Sequence, residues 1–212
     1  MNGVQFDDMH SIKDWDLLMT SKNIADPIVV TKYVQIEGRN GLLDLTGAND
    51  EVVYSNRVLT FNFDMFQDPN DWWILKSKIS SYLHGKRRKI TLDVDSDFYY
   101  EGRCQISSFT NDTTVAHISI TCDCEPYKMK KHETIIQKNV KPGDSFFLQN
   151  LSKKVMPIVE STGNIVFKFE NTQFSISEHL ESPDFMLKEG NNKIDIISGT
   201  GTLKFTYREG II

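Results

Sequence analysis

Histidine and cysteine are the residue types in this sequence that could bind a transition metal. The five histidines are His10, His84, His117, His132 and His179, and none of them stands in H-E-x-x-H or another paired spacing. Cys122 and Cys124 would share one face of a strand and could supply two zinc ligands. A structural zinc site has four ligands, and Cys104 and His117 would have to supply the other two. No spacing favours that site. We expect buried free thiols that pack as small apolar groups, with the histidines at the surface or at helix ends.

The carboxylates of Asp93, Asp95 and Asp97 have the spacing that begins a calcium-binding loop. Phe98 replaces the glycine that such a loop requires, and Cys104 stands where its bidentate glutamate is expected. The pattern therefore favours a polar turn between two strands over a calcium site.

Motifs of covalent or phosphate chemistry do not occur in the sequence. It contains no G-x-S-x-G, no Walker loop and no dinucleotide fingerprint. Carboxylates are common, but no spacing selects one pair as the acid and base of a glycosidase. We therefore predict a protein that is not an enzyme and uses no cofactor or metal. A small hydrolase with an unrecognised carboxylate pair is kept as an alternative.

Residues 86–89 (KRRK) form the densest basic cluster. The cluster could contact phosphates or a carboxylate-rich neighbour, but it lacks the interleaved aromatic residues of single-strand binders. The whole chain has 24 basic and 29 acidic residues, a net charge of -5, whereas nucleic-acid binders normally carry a basic surface. We interpret the cluster as a solvated turn at a helix end or as a contact to another subunit.

The elements that must position these residues are mostly strands. Only three of the 212 residues are alanine, while β-branched and aromatic residues are plentiful, which favours strands over helices. The acidic N-terminus lacks the apolar run of a signal peptide, and no apolar stretch is long enough to span a membrane. Together with the few cysteines, this predicts reduced thiols and synthesis in the cytoplasm.

The first part of the chain alternates apolar and polar residues over 55–66, 89–94, 98–109 and 115–124, as half-buried strands do. One helix is also predicted, with Asp68 as its cap, Pro69 in its first turn and Gly85 at its end. Its apolar stripe recurs at three- and four-residue spacing and consists of Trp72, Leu75, Ile79, Tyr82 and Leu83.

After Pro126 the pattern changes to short strands separated by regularly spaced turns, which is typical of a sandwich or jelly roll. We therefore predict a mainly β protein with one helix and two domains. Residues 1–130 form an α+β domain and residues 131–212 a smaller all-β domain.

Six segments, in order, are similar to the N-terminal domain of the distal tail (Dit) proteins of long-tailed, non-contractile phages. These segments are residues 38–46 (GRNGLLDLT), 54–57 (YSNR), 82–86 (YLHGK), 89–93 (KITLD), 99–103 (YYEGR) and 125–128 (EPYK). The stretch from residue 190 to residue 210 resembles the C-terminal ends of such phage tail proteins, less specifically.

The resemblance implies a virion structural protein at the tail tip. Members of this family form a hexameric hub ring at the distal end of the tail tube, within the baseplate. The ring is built by an N-terminal domain that combines a β-sandwich, a helix and a belt-like hairpin or arm, which grips the neighbouring copy. A galectin-like C-terminal β-sandwich points outward. The implied partners are other copies of the chain, the tail tube protein, the tail-associated or tail-tip protein and the receptor-binding protein. The receptor-binding protein attaches the phage to its host.

Double-stranded DNA must pass through such a hub without specific binding, which an acidic chain suits. We expect the assembly interface to involve eight residues: Arg39, Asn40, Asp44, Asn56, Arg57, Lys86, Arg87 and Arg88. Arg57 could lock a loop by bonding a carboxylate or backbone carbonyls.

The alternative function is carbohydrate binding by the C-terminal sandwich, as a module that recognises host cell-wall saccharide. It would need exposed aromatic side chains on one face, and the candidates are Phe167, Phe169, Phe174 and Tyr207. Their places in alternating runs favour core packing instead.

Overall fold

The computed structural model describes residues 2–48 and 52–212. The chain divides into two compact units, Met1–Pro126 (unit 1) and Tyr127–Ile212 (unit 2), whereas the sequence placed the boundary at residue 130. The prediction of a mainly β chain with one α-helix is confirmed. Within the described ranges, no helix combines the length and the apolar character that crossing a bilayer requires.

Unit 1 combines one large sheet, one α-helix and a separate two-stranded ribbon. Its described strands are β1 (Val4–Phe6), β2 (Met9–His10), β3 (Leu17–Ile24), β4 (Tyr33–Gln35), β5 (Leu42–Asp44), β6 (Arg57–Met65), β7 (Arg87–Leu92), β8 (Phe98–Asn111) and β9 (Ala116–Cys124). The α-helix is α1 (Trp72–Leu83), and a short 3₁₀ helix covers Asp93–Asp95. The sheet is antiparallel in the order β2-β1-β7-β8-β9-β6-β3, while β4 pairs with β5.

The period-two patterns of β6 and β9 produce the centre of this sheet. In β6, Leu59, Phe61 and Phe63 are buried, and the residues between them are more exposed. β9 lies antiparallel to β6, with Phe61 opposite Ile120, and its own buried residues alternate in the same way. Each strand therefore presents one apolar face to a shared core, as the alternation predicted.

The helix α1 covers this core with the predicted stripe. Trp72, Ile79 and Leu83 are buried. The helix begins at Trp72, later than the sequence suggested, because Asp68 closes a turn ahead of it by accepting a hydrogen bond from the Asn70 amide at 2.9 Å. At the other end, Gly85 follows the helix as predicted, and it has the left-handed conformation (φ +77°) that often ends a helix.

Unit 2 is a β-sandwich. Its strands are β10 (Lys128–Lys130), β11 (Thr134–Val140), β12 (Ser145–Asn150), β13 (Ile158–Ser161), β14 (Ile165–Phe169), β15 (Thr172–Ile176), β16 (His179–Leu180), β17 (Gly190–Ser198), β18 (Gly201–Tyr207) and β19 (Gly210–Ile211). Two four-stranded sheets have the orders β11-β18-β13-β16 and β12-β17-β14-β15. Phe167 of one sheet and Phe205 of the other both pack against Phe185, so the core lies between the sheets.

Candidate assembly interface

The most exposed part of unit 1 is an arm, residues 26–56, that links β3 to β6. The two stems of the arm pair with each other, because the Val30 amide donates to the Val53 carbonyl at 2.8 Å and the Ser55 amide donates to the Ile28 carbonyl at 2.9 Å. Further along, β4 and β5 continue the ribbon. The arm is therefore a long hairpin, of which residues 49–51 lie outside the described ranges.

Three of the predicted interface residues lie toward the far end of this arm. Arg39 and Asn40 are exposed in the turn between β4 and β5, where Gly38 and Gly41 have φ of +78° and +79°. Such angles are unstrained only for glycine. Asp44 ends β5, and hydrogen bonds from the Thr46 hydroxyl and amide lower the pKa of its carboxyl. The tip therefore has a defined turn that presents a guanidinium and an amide.

The described residues of the arm leave a large apolar surface in solvent. Every residue from 28 to 42 is exposed. The bulkiest exposed apolar side chains are Ile28 at 73%, Val30 at 50%, Tyr33 at 53%, Leu42 at 56% and Val53 at 59%. An isolated two-stranded hairpin is marginal in water, and exposed apolar patches of this kind mark interaction surfaces. The exposed apolar side chains of the arm thus indicate that the arm packs against another protein surface.

Arg57 fixes the base of the arm. Its side chain is buried and donates to the Ala25 carbonyl at 2.8 Å, to the Pro126 carbonyl at 3.2 Å and to the Asp26 carboxylate at 3.1 Å. This is the loop-locking arrangement that the sequence suggested for it. Asn56, next to it, is exposed at the point where the arm returns to the sheet. Arg57 thus positions the arm from inside unit 1, and Asn56 lies at the surface.

The predicted basic cluster is largely engaged within unit 1. Lys86 donates to the Ser81 carbonyl at 2.7 Å. Arg87 pairs with Glu125 at 2.6 Å and with Glu101 at 3.4 Å. These contacts hold the start of β7 against its neighbours and offset part of its positive charge.

Arg88 completes the cluster in a more enclosed place. It pairs with Asp7 at 3.0 Å, and its guanidinium lies 4.1 Å from the centroid of the Tyr82 ring. The Tyr82 hydroxyl donates to the Asp8 carboxylate and also to the Phe6 carbonyl at 2.9 Å. Burial, followed by the hydrogen bond to Asp8, raises the pKa of Tyr82 to about 12. Arg88 therefore ties the end of α1 to the β1–β2 turn.

The outer face of α1 is a second exposed surface, which sequence reasoning missed. A shallow open groove of about 850 Å³ lies along it, and we call it the outer groove. Its lining includes Trp73, Ile74, Ser77, Lys78, Ser81 and Lys86. Trp73 is 59% exposed and packs against Phe109 with ring centroids 5.0 Å apart. The sequence did contain a signal for this surface, because Trp72 and Trp73 are adjacent and only Trp72 belongs to the buried stripe.

The cysteines do not form a zinc site with His117. All three thiols are buried, and Cys104 and Cys122 face each other across β8 and β9 with their Sγ atoms 3.0 Å apart. The hydrogen bond between these two thiols, followed by burial, raises the pKa of Cys122. His117 lies on the face of β9 opposite to the thiols, because side chains alternate along a strand, and its Nδ1 lies 2.6 Å from Asp64 Oδ1. The thiols are thus core groups, as expected.

The calcium-like segment is also used for structure. Asp93 Oδ1 lies 3.0 Å from the Nε2 atom of His10, and Asp93 Oδ2 accepts a hydrogen bond from the Gly3 amide at 2.9 Å. In residues 2–48 and 52–212, no group of three or more histidine, cysteine or carboxylate side chains is arranged to hold a metal ion.

The four aromatic residues considered for sugar binding lie in the core of unit 2. Phe167, Phe169, Phe174 and Tyr207 are exposed by at most 7%. In unit 2, which is described throughout, Phe147 is the aromatic side chain that is mostly exposed, at 57%. The core-packing interpretation of the alternating runs is therefore confirmed.

Comparison with known proteins identifies the fold. No protein-family model and no curated protein matches the chain. Among solved structures, it is similar to the crystal structure of the SPP1 Dit protein, described as a paradigm of the hub adsorption apparatus in phages that infect Gram-positive bacteria. The TM-score is 0.72 at 13% sequence identity, over 98% of this chain and 99% of that chain. Over nearly its whole length, the chain thus has the fold of a Dit protein, the family that its sequence resembles.

Proposed function

We propose that this chain is a structural subunit of a phage tail, and that six copies close into the hub ring at the distal end of the tail tube. The observation that carries the proposal is the exposed arm, a clamped hairpin with an apolar surface that no described residue of the arm covers. The similarity of the whole fold to a hub protein supports the same conclusion.

A ring imposes a specific demand on its subunit. One patch must meet a different patch on the next copy, at an angle that closes the circle. An arm whose residues 28–42 are all exposed satisfies this demand, because its surface is separate from the sheet that anchors it. Arg57 sets its direction by holding the backbone at Ala25 and Pro126.

The two units take different roles in this proposal. Unit 1 builds the ring, with Arg39, Asn40 and Asp44 contacting the next copy and the basic residues Lys86 to Arg88 near the seam. Unit 2 is a galectin-like sandwich that points outward, and receptor-binding proteins attach to it. The tail tube protein and the tail-tip protein bind the ring along its axis. The role is mechanical, and we propose no reaction and no cofactor for it.

The mass of the chain in solution tests the proposal. The full chain is expected at about 146 kDa, six times its 24.4 kDa, because a closed ring has one copy number and the family resemblance implies six. The comparison variant replaces residues 33–44 with Asn-Gly. Lys32 and Leu45 already share a backbone hydrogen bond of 2.8 Å, so a two-residue turn fits there. This variant is expected to be a folded monomer.

Two results would contradict the proposal. One is a full chain that stays monomeric at its highest soluble concentration, with or without tail proteins. The other is a shortened variant that assembles as well as the full chain. Circular dichroism of the variant controls for loss of fold.

A further inference from the structure

We propose that the outer groove of α1 receives the arm of the neighbouring copy. This inference rests on the proposed ring, since it requires copies of the chain to touch one another. It adds the surface on which the arm lies, and thereby defines both halves of the interface.

The groove has the apolar character that the arm needs. Trp73 and Ile74 are 59% and 55% exposed, whereas the preceding residue, Trp72, is only 2% exposed. Ser77 and Ser81 follow Trp73 at successive four-residue steps, so one row of the helix face has small side chains behind a large one. A ribbon carrying Ile28 and Val30, two residues apart on one stem, would cover the tryptophan and lie over the serines.

The charges of the two surfaces are complementary. Residues 72–89, which form α1 and the start of β7, include six basic residues and no acidic one. The arm, residues 26–56, has five acidic residues and two basic ones. Lys78 and Lys86 line the groove itself. The two lysines of the groove and the net negative ribbon carry opposite charges, which favours contact between them.

The pairing has the geometry of a ring. The arm and the groove are different surfaces, so each copy offers one of each and a contact between them is head to tail. Two copies joined this way still have one free arm and one free groove. Addition continues until the circle closes.

Cross-linking tests which surface the arm meets. The chain carries two new cysteines, Val34→Cys on the arm and Ser77→Cys in the groove, while the native cysteines are buried and react slowly. A short bismaleimide is expected to produce a ladder of cross-linked chains. The control keeps Val34→Cys and replaces the groove cysteine with Lys138→Cys on exposed β11, and it should give no ladder.

Trp73 provides a second readout on the otherwise unmodified chain. Trp15 and Trp72 are 5% and 2% exposed, so quenching of tryptophan fluorescence by acrylamide reports mainly on Trp73. Assembly should reduce this quenching at least twofold, and Trp73→Phe should remove most of the change. Trp73→Ser should weaken assembly about tenfold while leaving the folded monomer intact, because an exposed side chain contributes little to the fold.

The possible outcomes separate this inference from the proposed function. A ring of normal mass without arm-to-groove cross-links overturns the inference and leaves the ring standing. A ring in which Trp73 becomes protected only when another tail protein is added also overturns it. A monomer under all conditions overturns both.

Discussion

At the scale of single residues, the arm depends on one buried guanidinium. Arg57→Ala removes hydrogen bonds to two backbone carbonyls and the contact of the guanidinium with the Tyr100 ring, whose centroid lies 5.2 Å away. We expect the free energy of unfolding to fall by about 1.5–3 kcal/mol, the range for hydrogen bonds from a charged donor. Urea unfolding of the purified chain measures this, and hydrogen exchange should show faster opening of the arm stems.

Arg57→Lys and Arg39→Ala serve as controls for this prediction. Lysine keeps the charge but lacks the planar fork, so it should restore less than half of the lost stability. Arg39→Ala, at the exposed tip, should change stability by less than about 0.5 kcal/mol. Equal effects at positions 39 and 57 would mean that the base of the arm is not clamped.

A second residue-scale prediction concerns alkaline pH. The pKa of Tyr82 is raised from 10.0 to about 12. The folded chain therefore holds this proton more tightly than the unfolded chain, which stabilises folding below pH 10. That stabilisation is lost as the pH rises from 10 toward 12.

Urea unfolding at about pH 9 and about pH 11.5 should therefore show a larger loss of unfolding free energy in the natural chain than in Tyr82→Phe. The difference between the two proteins matters, because other tyrosines and lysines titrate in both. Identical losses would mean that the Tyr82 hydroxyl is no better held in the folded chain than in the unfolded one.

At the scale of elements, α1 presents two adjacent tryptophans with opposite roles. Trp72 is 2% exposed and Trp73 is 59% exposed. Trp72→Ala should lower the free energy of unfolding by about 3–5 kcal/mol, as for other buried aromatic residues. Trp73→Ala should cost less than about 1 kcal/mol in the monomer. Thermal unfolding of both variants distinguishes them, and a loss below about 1 kcal/mol for Trp72→Ala would place that face of the helix in solvent.

Local periodicity predicted the elements that bury one face. The alternation over residues 55–66 predicted β6, and the three- and four-residue spacing after Trp72 predicted α1. In unit 2, the residues of β14 alternate between buried and partly exposed in the same way. These segments could be predicted because burial on one side leaves a repeating pattern of residue types.

The arm could not be derived from such a pattern, because no described residue from 28 to 42 is buried. A hairpin without a buried face has no reason to alternate, so only the family resemblance indicated it. The partners of Arg57 were also out of reach, since Pro126 lies 69 positions away in the sequence. The outer groove was missed because the predicted apolar stripe left out Trp73 and Ile74, although both interrupt the polar face that an ordinary surface helix would have.

At the scale of the whole molecule, the chain should let duplex DNA pass. Its net charge is -5, and Arg87 and Arg88 are paired with carboxylates of unit 1. We expect no binding of duplex DNA at about 150 mM salt, because acidic residues outnumber basic ones and the densest basic cluster is partly neutralised by carboxylates of its own unit. Fluorescence anisotropy of a labelled duplex measures this. Salt-sensitive binding at that ionic strength would contradict the prediction.

We propose that identical copies of this chain form a closed circle around an open channel. Negative-stain electron microscopy of the purified chain, with class averages computed without imposed symmetry, can show such a circle. We expect rings with sixfold symmetry and an empty centre. Single particles of monomer size, or open filaments without closure, would contradict it.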